Sequence, residues 1–153
     1  AKDAGAVIYI DRQLAGPYGH DKYRYTQPPF FDAGPEHGYQ GKENPREIYT
    51  AGIAQLGDFL SLTPEQRDAK LIAIEKTVFF AMLRMHALEG MFCDPLHGGN
   101  RGMVGWKMVG FPGPQMTWRA DIDKHSGEEF RPAPKSLVQI LGRPVKGMED
   151  EPV

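Results

Sequence analysis

Cysteine is scarce in this sequence, and its scarcity excludes several kinds of site. Cys93 is the single cysteine among 153 residues, so the chain cannot form an internal disulfide. One thiol also cannot supply a four-cysteine iron–sulfur cluster, a cysteine-rich zinc site or a covalent CxxCH haem site. Cofactors held by several cysteines are therefore excluded, whereas the cellular compartment stays open.

Long apolar runs and basic clusters are also missing. No apolar run reaches the roughly 20 residues that a membrane-spanning helix needs. The formal net charge is -2, whereas a nucleic-acid-binding surface needs a clustered basic excess. The hydrophobic fraction of 41% is enough for a core. The chain is therefore predicted to form one globular domain over residues 1–153, with no nucleic acid as a partner.

The familiar motifs of catalytic and binding sites are absent as well. The segment "HGGNRGMVG" lacks the G-x-G-x-x-G order of a dinucleotide loop, and the sequence has no G-x-S-x-G nucleophile elbow. His86, Cys93 and His97 match no zinc spacing, even with Glu89 and Asp94 beside them. We therefore predict no catalytic residue, no cofactor-binding residue and no metal ligand in this chain.

Glycine and proline are present in excess and are unevenly placed. The 18 glycines and 13 prolines make up about a fifth of the chain, where about 12% is usual. Neither residue occurs between positions 65 and 89, and both crowd into positions 16–45 and 90–114. This distribution predicts a mainly α fold, a small helical domain with long ordered Gly/Pro-rich loops. Its parts are a helical core at about 44–90, a contact loop at 90–114 and an extended C-terminal segment at 115–153.

Local signals predict where the helices begin and end. Capping boxes start two of them, with Asn44 before Pro45 and Thr63 before Pro64. Asp3 is the expected cap of a first helix, and Gly90 is the expected C′ residue of the longest. That longest helical stretch carries an apolar stripe at spacings of three and four, which predicts a central, well-buried element. Its length leaves room for a break at residues 75–77.

The segment from Asp94 to Pro114 has the composition of a protein contact surface. Its glycines permit close approach to another backbone, and Asn100 and Arg101 offer directed hydrogen-bond donors. Trp106, Met108 and Phe111 offer soft apolar area, which suits an interface. The alternative is that this loop covers the protein's own core. The length of the loop favours the interface.

The same residues carry a family resemblance. "FFAMLRMHALEGMFCDPLHGGNRGMVGWKMVGFPGP", Phe79 to Pro114, resembles the gluconate 2-dehydrogenase subunit 3 family. "IDRQLAGPYG", Ile10 to Gly19, and "GYQG", Gly38 to Gly41, are also similar to that family. The elements EG, DP, GGNR, GWK and GFPG in one order are specific. From Gln115 onward the resemblance thins.

The resemblance implies a non-catalytic small subunit without a redox cofactor of its own. It implies a large FAD-dependent partner of the glucose–methanol–choline type and a multihaem cytochrome c partner carrying haem c. The small subunit is expected to stabilise the large one and to assist its export. The complex is expected on the periplasmic side of the bacterial inner membrane, with membrane contact only through the complex. A twin-arginine signal, removed in the mature chain, would explain the start at Ala1, although a trimmed chain would begin there equally well.

The residues predicted to hold the flavoprotein subunit are Asp94, Asn100, Arg101, Trp106 and Phe111. On this hypothesis Trp106→Ala loosens the complex more than it unfolds the chain. Gluconate is the default substrate of the complex.

Two alternatives come from other functional classes. A stand-alone enzyme would use His97, Cys93 or Asp94, and it would be active as a single purified chain. A carbohydrate-binding module would stack sugars on Trp106 and Trp118, and it would bind sugar when isolated. No spacing between the named residues specifically supports either alternative. The family's pattern does not require Cys93 or His97.

Overall fold

The computed structural model describes residues 1–23, 28–38 and 41–142. Over these residues the chain is helical and contains no strand, which confirms the mainly α prediction. Four short 3-10 turns occur at Pro35–His37, Phe59–Ser61, Pro95–His97 and Arg101–Met103. The α-helices are α1 (Ala6–Ala15), α2 (Pro45–Leu56), α3 (Pro64–Ala73), α4 (Val78–Phe92), α5 (Val104–Val109), α6 (Arg119–His125) and α7 (Leu137–Leu141).

The chain divides into two compact units. One contains Asp11–Met85, and the other combines Ala1–Ile10 with His86–Val153. The single domain predicted over residues 1–153 stays a prediction. Two parts of the sequence-based interpretation lie outside the described residues, namely the centre of "GYQG" and the extended tail from position 143.

The starts of α2 and α3 confirm the predicted capping boxes. At α2 the Asn44 side chain accepts from the Glu47 N–H at 3.0 Å, and the Glu47 carboxylate accepts from the Asn44 N–H at 2.9 Å. Thr63 and Gln66 make the same reciprocal pair at α3, at 3.3 and 3.0 Å. Each pair satisfies backbone donors that the first helical turn leaves without partners.

A small aromatic cluster forms the core of the unit at residues 11–85. Ile48, Tyr49 and Phe79 are buried, and the rings of Tyr49 and Phe79 meet edge to face with centroids 5.5 Å apart. A Cβ added at Gly52 would lie 2.1 Å from Cγ of Phe79. Gly52 therefore provides the space for the ring.

The longest predicted helical stretch is broken near residues 75–77, where the sequence left room for a break. α3 ends at Ala73, a turn follows, and α4 begins at Val78. Thr77 lies at this second start, where its hydroxyl donates to the Ile74 carbonyl at 2.7 Å and accepts from the Phe80 N–H at 3.2 Å. The predicted burial of the whole stripe is wrong, because Val78, Met85 and Leu88 are exposed.

Two predicted helix ends are also wrong. α1 begins at Ala6 and not at Asp3, because Gly5 has a left-handed φ of +69° just before the helix. α4 continues through Gly90 to Phe92. A Cβ at Gly90 would lie 2.9 Å from Cα of Ala6. This glycine therefore serves the contact between α4 and the start of α1, and it does not end a helix.

Candidate functional site

The candidate site is the segment that follows α4, residues 93–113. It belongs to the unit that combines residues 1–10 with 86–142 of the described chain. The last carbonyl groups of any α-helix lack partners within the helix. In this chain the groups that satisfy them come from residues farther along the sequence.

Asn100 is the centre of this arrangement. Its backbone N–H donates to the Gly90 carbonyl at 2.7 Å, and its side-chain amide donates to the Cys93 carbonyl at 2.9 Å. Its side-chain oxygen accepts from the Gly105 N–H at 2.8 Å. The residue is 0% exposed and has a left-handed backbone with φ of 46°, a conformation that asparagine tolerates better than most residues. Asn100 thus caps the end of α4 and ties it to the start of α5.

Two glycines allow the segment to approach α4 closely. A Cβ at Gly99 would lie 2.1 Å from the Gly90 carbonyl oxygen, and a Cβ at Gly105 would lie 2.0 Å from that of Met91. No side chain fits at such distances. The close backbone approach predicted for these two positions therefore occurs, and the other backbone belongs to this protein.

Trp106 completes the cap. Its indole N–H donates to the Phe92 carbonyl at 2.6 Å. Its ring packs edge to face on Phe111, with centroids 5.1 Å apart, and the Phe111 N–H donates to the Trp106 carbonyl at 2.9 Å. Trp106 is 4% exposed. It is thus part of the core of its own unit, and the sugar-binding alternative loses one of its two tryptophan platforms.

Arg101 and Asp94 connect the segment to more distant parts of the unit. The backbone N–H of Arg101 donates to the Ala4 carbonyl at 3.0 Å, while its side chain is exposed and passes over Gly5. The carboxylate of Asp94 accepts from the Leu96 N–H at 3.1 Å and from the Leu137 N–H at 2.8 Å. Asp94 therefore links the end of α4 to the start of α7.

The predicted interface residues thus have different positions. Asn100 and Trp106 are buried, Asp94 is partly exposed, and Arg101 and Phe111 are exposed. The proposed contact of this set with a partner stays a prediction. In such a contact the two buried residues would act through the backbone that they hold, and Arg101 and Phe111 could touch a partner directly.

Sequence reasoning missed other exposed residues of the same surface. Beside Met108, which the sequence had already assigned to a contact surface, α5 presents Val104, Lys107 and Val109 to solvent. The missed signal is the short length of α5. Gly105 and Trp106 are buried on one side of this helix, so its remaining side chains face solvent. A second missed contact joins Tyr9 of α1 to α4, where its hydroxyl donates to the Glu89 carboxylate at 3.0 Å.

Cys93 is poorly suited to be a nucleophile. Burial, with a smaller contribution from the negative charge of Asp94, raises the pKa of its thiol to about 11. The thiol therefore stays protonated near neutral pH, and the thiolate is the reactive form. Among the described residues no group of three or more His, Cys, Asp or Glu side chains is arranged to hold a metal ion.

His86 is a second buried polar group, on α4, and is 2% exposed. Burial lowers the pKa of its imidazole, and the nearby Glu89 opposes this with a smaller effect. The neutral form is therefore favoured inside the fold.

An open groove lies along α2 in the unit at residues 11–85. Its volume is about 500 Å³, and its lining includes His20, Arg46, Glu47 and Thr50. The Arg46 guanidinium lies 3.0 Å from Nε2 of His20. None of the residues predicted from sequence to form a site lies in this groove.

The exposed surface carries many large apolar side chains. Among the described residues, twenty large hydrophobic side chains are exposed, whereas the buried hydrophobic residues number seven and include two alanines. Single exposed apolar residues are ordinary, and a large contiguous apolar patch is what marks a surface that another molecule covers. None of the described helices combines the length and apolar character needed to cross a membrane.

The family comparison agrees with the sequence motifs. The sequence model of gluconate 2-dehydrogenase subunit 3 matches residues 1–113, which include α1 to α5 and the cap of α4. No curated protein and no solved structure matches the chain significantly. Because the match covers well over half of the chain, the protein belongs to the gluconate 2-dehydrogenase subunit 3 family and is a subunit of an oxidoreductase complex of that type.

Proposed function

We propose that this chain is the non-catalytic small subunit of a periplasm-facing, membrane-bound, flavin-dependent dehydrogenase of the gluconate 2-dehydrogenase type. Its partners are a FAD-bearing large subunit of the glucose–methanol–choline type and a multihaem cytochrome c subunit. In this proposal the chain stabilises the large subunit and assists its export by the twin-arginine route. The family match over residues 1–113 is the observation that carries the proposal.

The exposed apolar surface supports a stabilising role. A chain that leaves side chains such as Leu60, Met108 and Ile122 in water gains free energy when a partner covers them. The same contact removes apolar area of the partner from water. Stabilisation of the large subunit then needs no cofactor and no reaction in the small one.

The cap of α4 supports the contact by holding its surface in place. Asn100 and Trp106 attach α5 to the end of α4 through four hydrogen bonds, three to α4 and its end and one to Gly105. The side chains of Arg101, Lys107, Met108 and Phe111 thus project from a fixed backbone. A preorganised surface loses less conformational entropy on binding than a flexible loop does.

Purification of the tagged chain from native membranes in mild detergent tests the composition of the complex. We expect a much larger polypeptide to copurify, with the absorbance of both flavin and haem. The copurified complex is then screened for oxidation of gluconate first, and of 2-ketogluconate, fructose and sorbitol next. A colourless chain without a larger polypeptide would overturn the proposal.

Deletion of the gene for this chain tests the stabilising and export roles. We expect the amount of large subunit in the periplasm to fall, and complementation with the wild-type gene to restore it. If the large subunit reaches the periplasm in normal amounts and keeps its half-life there, both roles are wrong. Copurification of the large subunit with the tagged wild-type chain tests membership of the complex. That test does not depend on the stabilising and export roles.

The predicted contact of Arg101 and Phe111 is tested by Arg101→Ala and Phe111→Ala. Both side chains are exposed, so each change is expected to lower retention of the large subunit. Arg101→Ala should have little effect on the fold. Phe111→Ala also removes the ring that packs on Trp106, so the thermal midpoint of each variant is measured beside retention. Lys22→Ala is a matched control, since Lys22 is an exposed cation in the other unit. Equal retention by all three variants would remove Arg101 and Phe111 from the interface.

A further inference from the structure

The exposed side of α5 combines apolar area with one positive charge. Gly105 and Trp106 of this helix are buried, whereas Val104, Lys107 and Met108 are exposed. Lys107 and Met108 follow Val104 by three and four residues, so the three side chains share one side of the helix, away from the buried pair. We call these three side chains the α5 face. Met108 is 64% exposed, so the face leaves apolar area open next to the Lys107 ammonium group.

The backbone that carries the α5 face is held at both ends. At its start the Gly105 N–H donates to the Asn100 side-chain oxygen at 2.8 Å, and at its end the Gly110 N–H donates to the Lys107 carbonyl at 3.4 Å. Gly110 has the left-handed φ of +69° that is common just after a helix. The side chains of the face take no part in these bonds. Substitutions there therefore change the charge of the face and leave the cap in place.

The segment around the α5 face carries charge of one sign. Of the 153 residues 20 are Asp or Glu, yet residues 95–118 contain none of them and contain the cations Arg101 and Lys107. Both cations are exposed. Among the described residues, no ion pair includes Lys107. The positive charge of the face is thus not neutralised within its own segment.

The acidic side chains at the edges of this segment have partners or neighbours of their own. The Glu89 carboxylate accepts from a tyrosine hydroxyl of α1 at 3.0 Å. The Asp94 carboxylate accepts from two backbone N–H groups, at 3.1 and 2.8 Å. Asp3 adjoins the carbonyl that accepts from the Arg101 N–H, which reduces the positive charge around Arg101. Lys107 is therefore the clearer of the two cations.

An acidic protein surface suits this composition better than an anionic membrane does. Basic segments that bind anionic lipid carry about four to eight Lys or Arg residues. Residues 95–118 carry two. Methionine is enriched at protein interfaces, and a charge at the rim of such an interface speeds association and fixes orientation when the partner carries the opposite charge.

We propose that the α5 face binds an acidic surface of the FAD-bearing large subunit. Val104 and Met108 cover apolar area of that surface, and the Lys107 ammonium group pairs with an Asp or Glu carboxylate. This inference rests on the proposed function, because it requires the large subunit as a partner. It deepens that function by naming the chemistry of the partner's surface and by assigning its recognition to Lys107.

Charge variants of Lys107 in the full chain test this pairing within the complex. Lys107→Glu reverses the charge, Lys107→Met removes it and Lys107→Arg keeps it. Lys124→Glu is the matched control, because Lys124 is also an exposed lysine in the last turn of a short helix of the same unit. Each tagged chain is purified from native membranes in mild detergent, and the ratio of large subunit to chain is measured at low and high salt. Circular dichroism of each chain reports on the fold.

At low salt we expect Lys107→Glu to retain about five- to tenfold less of the large subunit, and Lys107→Met to show a smaller loss. Lys107→Arg and Lys124→Glu are expected to match wild type. High salt should narrow the difference between wild type and Lys107→Met, because salt screens exposed charge pairs. Equal retention by Lys107→Glu and wild type would overturn the role of Lys107 while the proposed function stands. Absence of the large subunit from the wild-type preparation would overturn both.

Carbodiimide cross-linking of the wild-type complex identifies the group that pairs with Lys107. The reagent activates a carboxylate, the Lys107 amine displaces the activating group as a urea, and an amide bond joins the two chains. We expect mass spectrometry to find Lys107 joined to an Asp or Glu of the large subunit. With Lys107→Arg this cross-link is expected to disappear although the large subunit is retained.

Other outcomes of the cross-linking would overturn the proposal. These are a link from Lys107 to the cytochrome subunit, to a second copy of this chain or to its own residues 143–153, or no link at all. Sedimentation of the purified chain with anionic phospholipid vesicles, lost in Lys107→Glu, would also overturn it and would assign the α5 face to the membrane.

Discussion

The side-chain amide of Asn100 donates to the backbone carbonyl of Cys93 at 2.9 Å, and this bond closes the end of the longest helix in the described chain. The main structural role of the glycine-rich segment that follows α4 is thus to cap the end of that helix. Gly99, Gly105, Asn100 and Trp106 of this segment all contact the end of the helix. The surface offered to a partner is the outer side of this cap.

Replacement of Asn100 by alanine should destabilise the chain by about 2–4 kcal/mol. The change leaves the buried Gly105 N–H and the partly buried Cys93 carbonyl without their partners, and an unsatisfied buried group costs about 1–3 kcal/mol. Urea denaturation followed by circular dichroism measures the loss. Arg101→Ala is the neighbouring control and should stay within about 0.5 kcal/mol, because that side chain is exposed. Equal effects of the two changes would contradict the capping role of Asn100.

Gly99→Ala should lower the thermal midpoint more than Gly102→Ala. The new Cβ at position 99 would collide with the backbone at Gly90, which cannot move away without opening the end of α4. At Gly102 nothing lies within 4 Å, so the cost there is only that of a left-handed φ of +59°, about 1 kcal/mol. Differential scanning calorimetry on both variants decides the order, and a larger effect at position 102 would refute the close approach at position 99.

Trp106→Ala should cost about 3–5 kcal/mol of the chain's own stability, as expected for a buried tryptophan. This expectation differs from the one based on sequence, in which the complex suffers more than the chain. Trp106→Phe keeps most of the apolar area and removes the bond to the Phe92 carbonyl, so it should cost less. Urea denaturation of the isolated variants gives both values. If Trp106→Ala is as stable as wild type, the core role of Trp106 is wrong and the interface role predicted from the sequence is favoured.

Stability should fall at alkaline pH through Cys93. Burial raises the pKa of this thiol from 9.0 to about 11 in the folded chain. Above pH 9 the unfolded thiol loses its proton while the folded one keeps it, so stability is present below pH 9 and is lost as the pH rises toward 11. The test compares urea midpoints of wild type and Cys93→Ala across this range. The alanine variant should show a shallower decline, and parallel curves would contradict the prediction.

Stability should also fall at mildly acidic pH through His86. Burial lowers its pKa below the ordinary value of 6.5. As the pH falls through 6.5 the unfolded imidazole gains a proton before the folded one does, so the stability present above that pH is progressively lost. His86→Gln should remove this part of the pH dependence, measured as the change in urea midpoint between neutral and mildly acidic buffer. A His86→Gln variant that keeps the full decline of wild type would contradict the prediction.

The starts of α2 and α3 were predictable because their causes are local. Asn44 with Glu47, and Thr63 with Gln66, are each three residues apart and form their hydrogen bonds within one turn. The helix ends were less predictable. Gly90 resembles a terminator by its identity, but its actual role depends on Ala6, more than eighty residues away in the sequence. No local pattern contains that contact.

The sequence by itself determined the mainly α class, the places where α2 and α3 begin and the family, because capping and motif order are properties of neighbouring residues. Only the tertiary structure decided which side of the segment after α4 faces inward. Asn100 and Trp106 are buried because the carbonyl groups at the end of α4 need donors, whereas Arg101 and Phe111 remain exposed. Hydrogen-bond partners separated by many residues become neighbours only after folding, so residue types alone could not separate the cap from the contact surface.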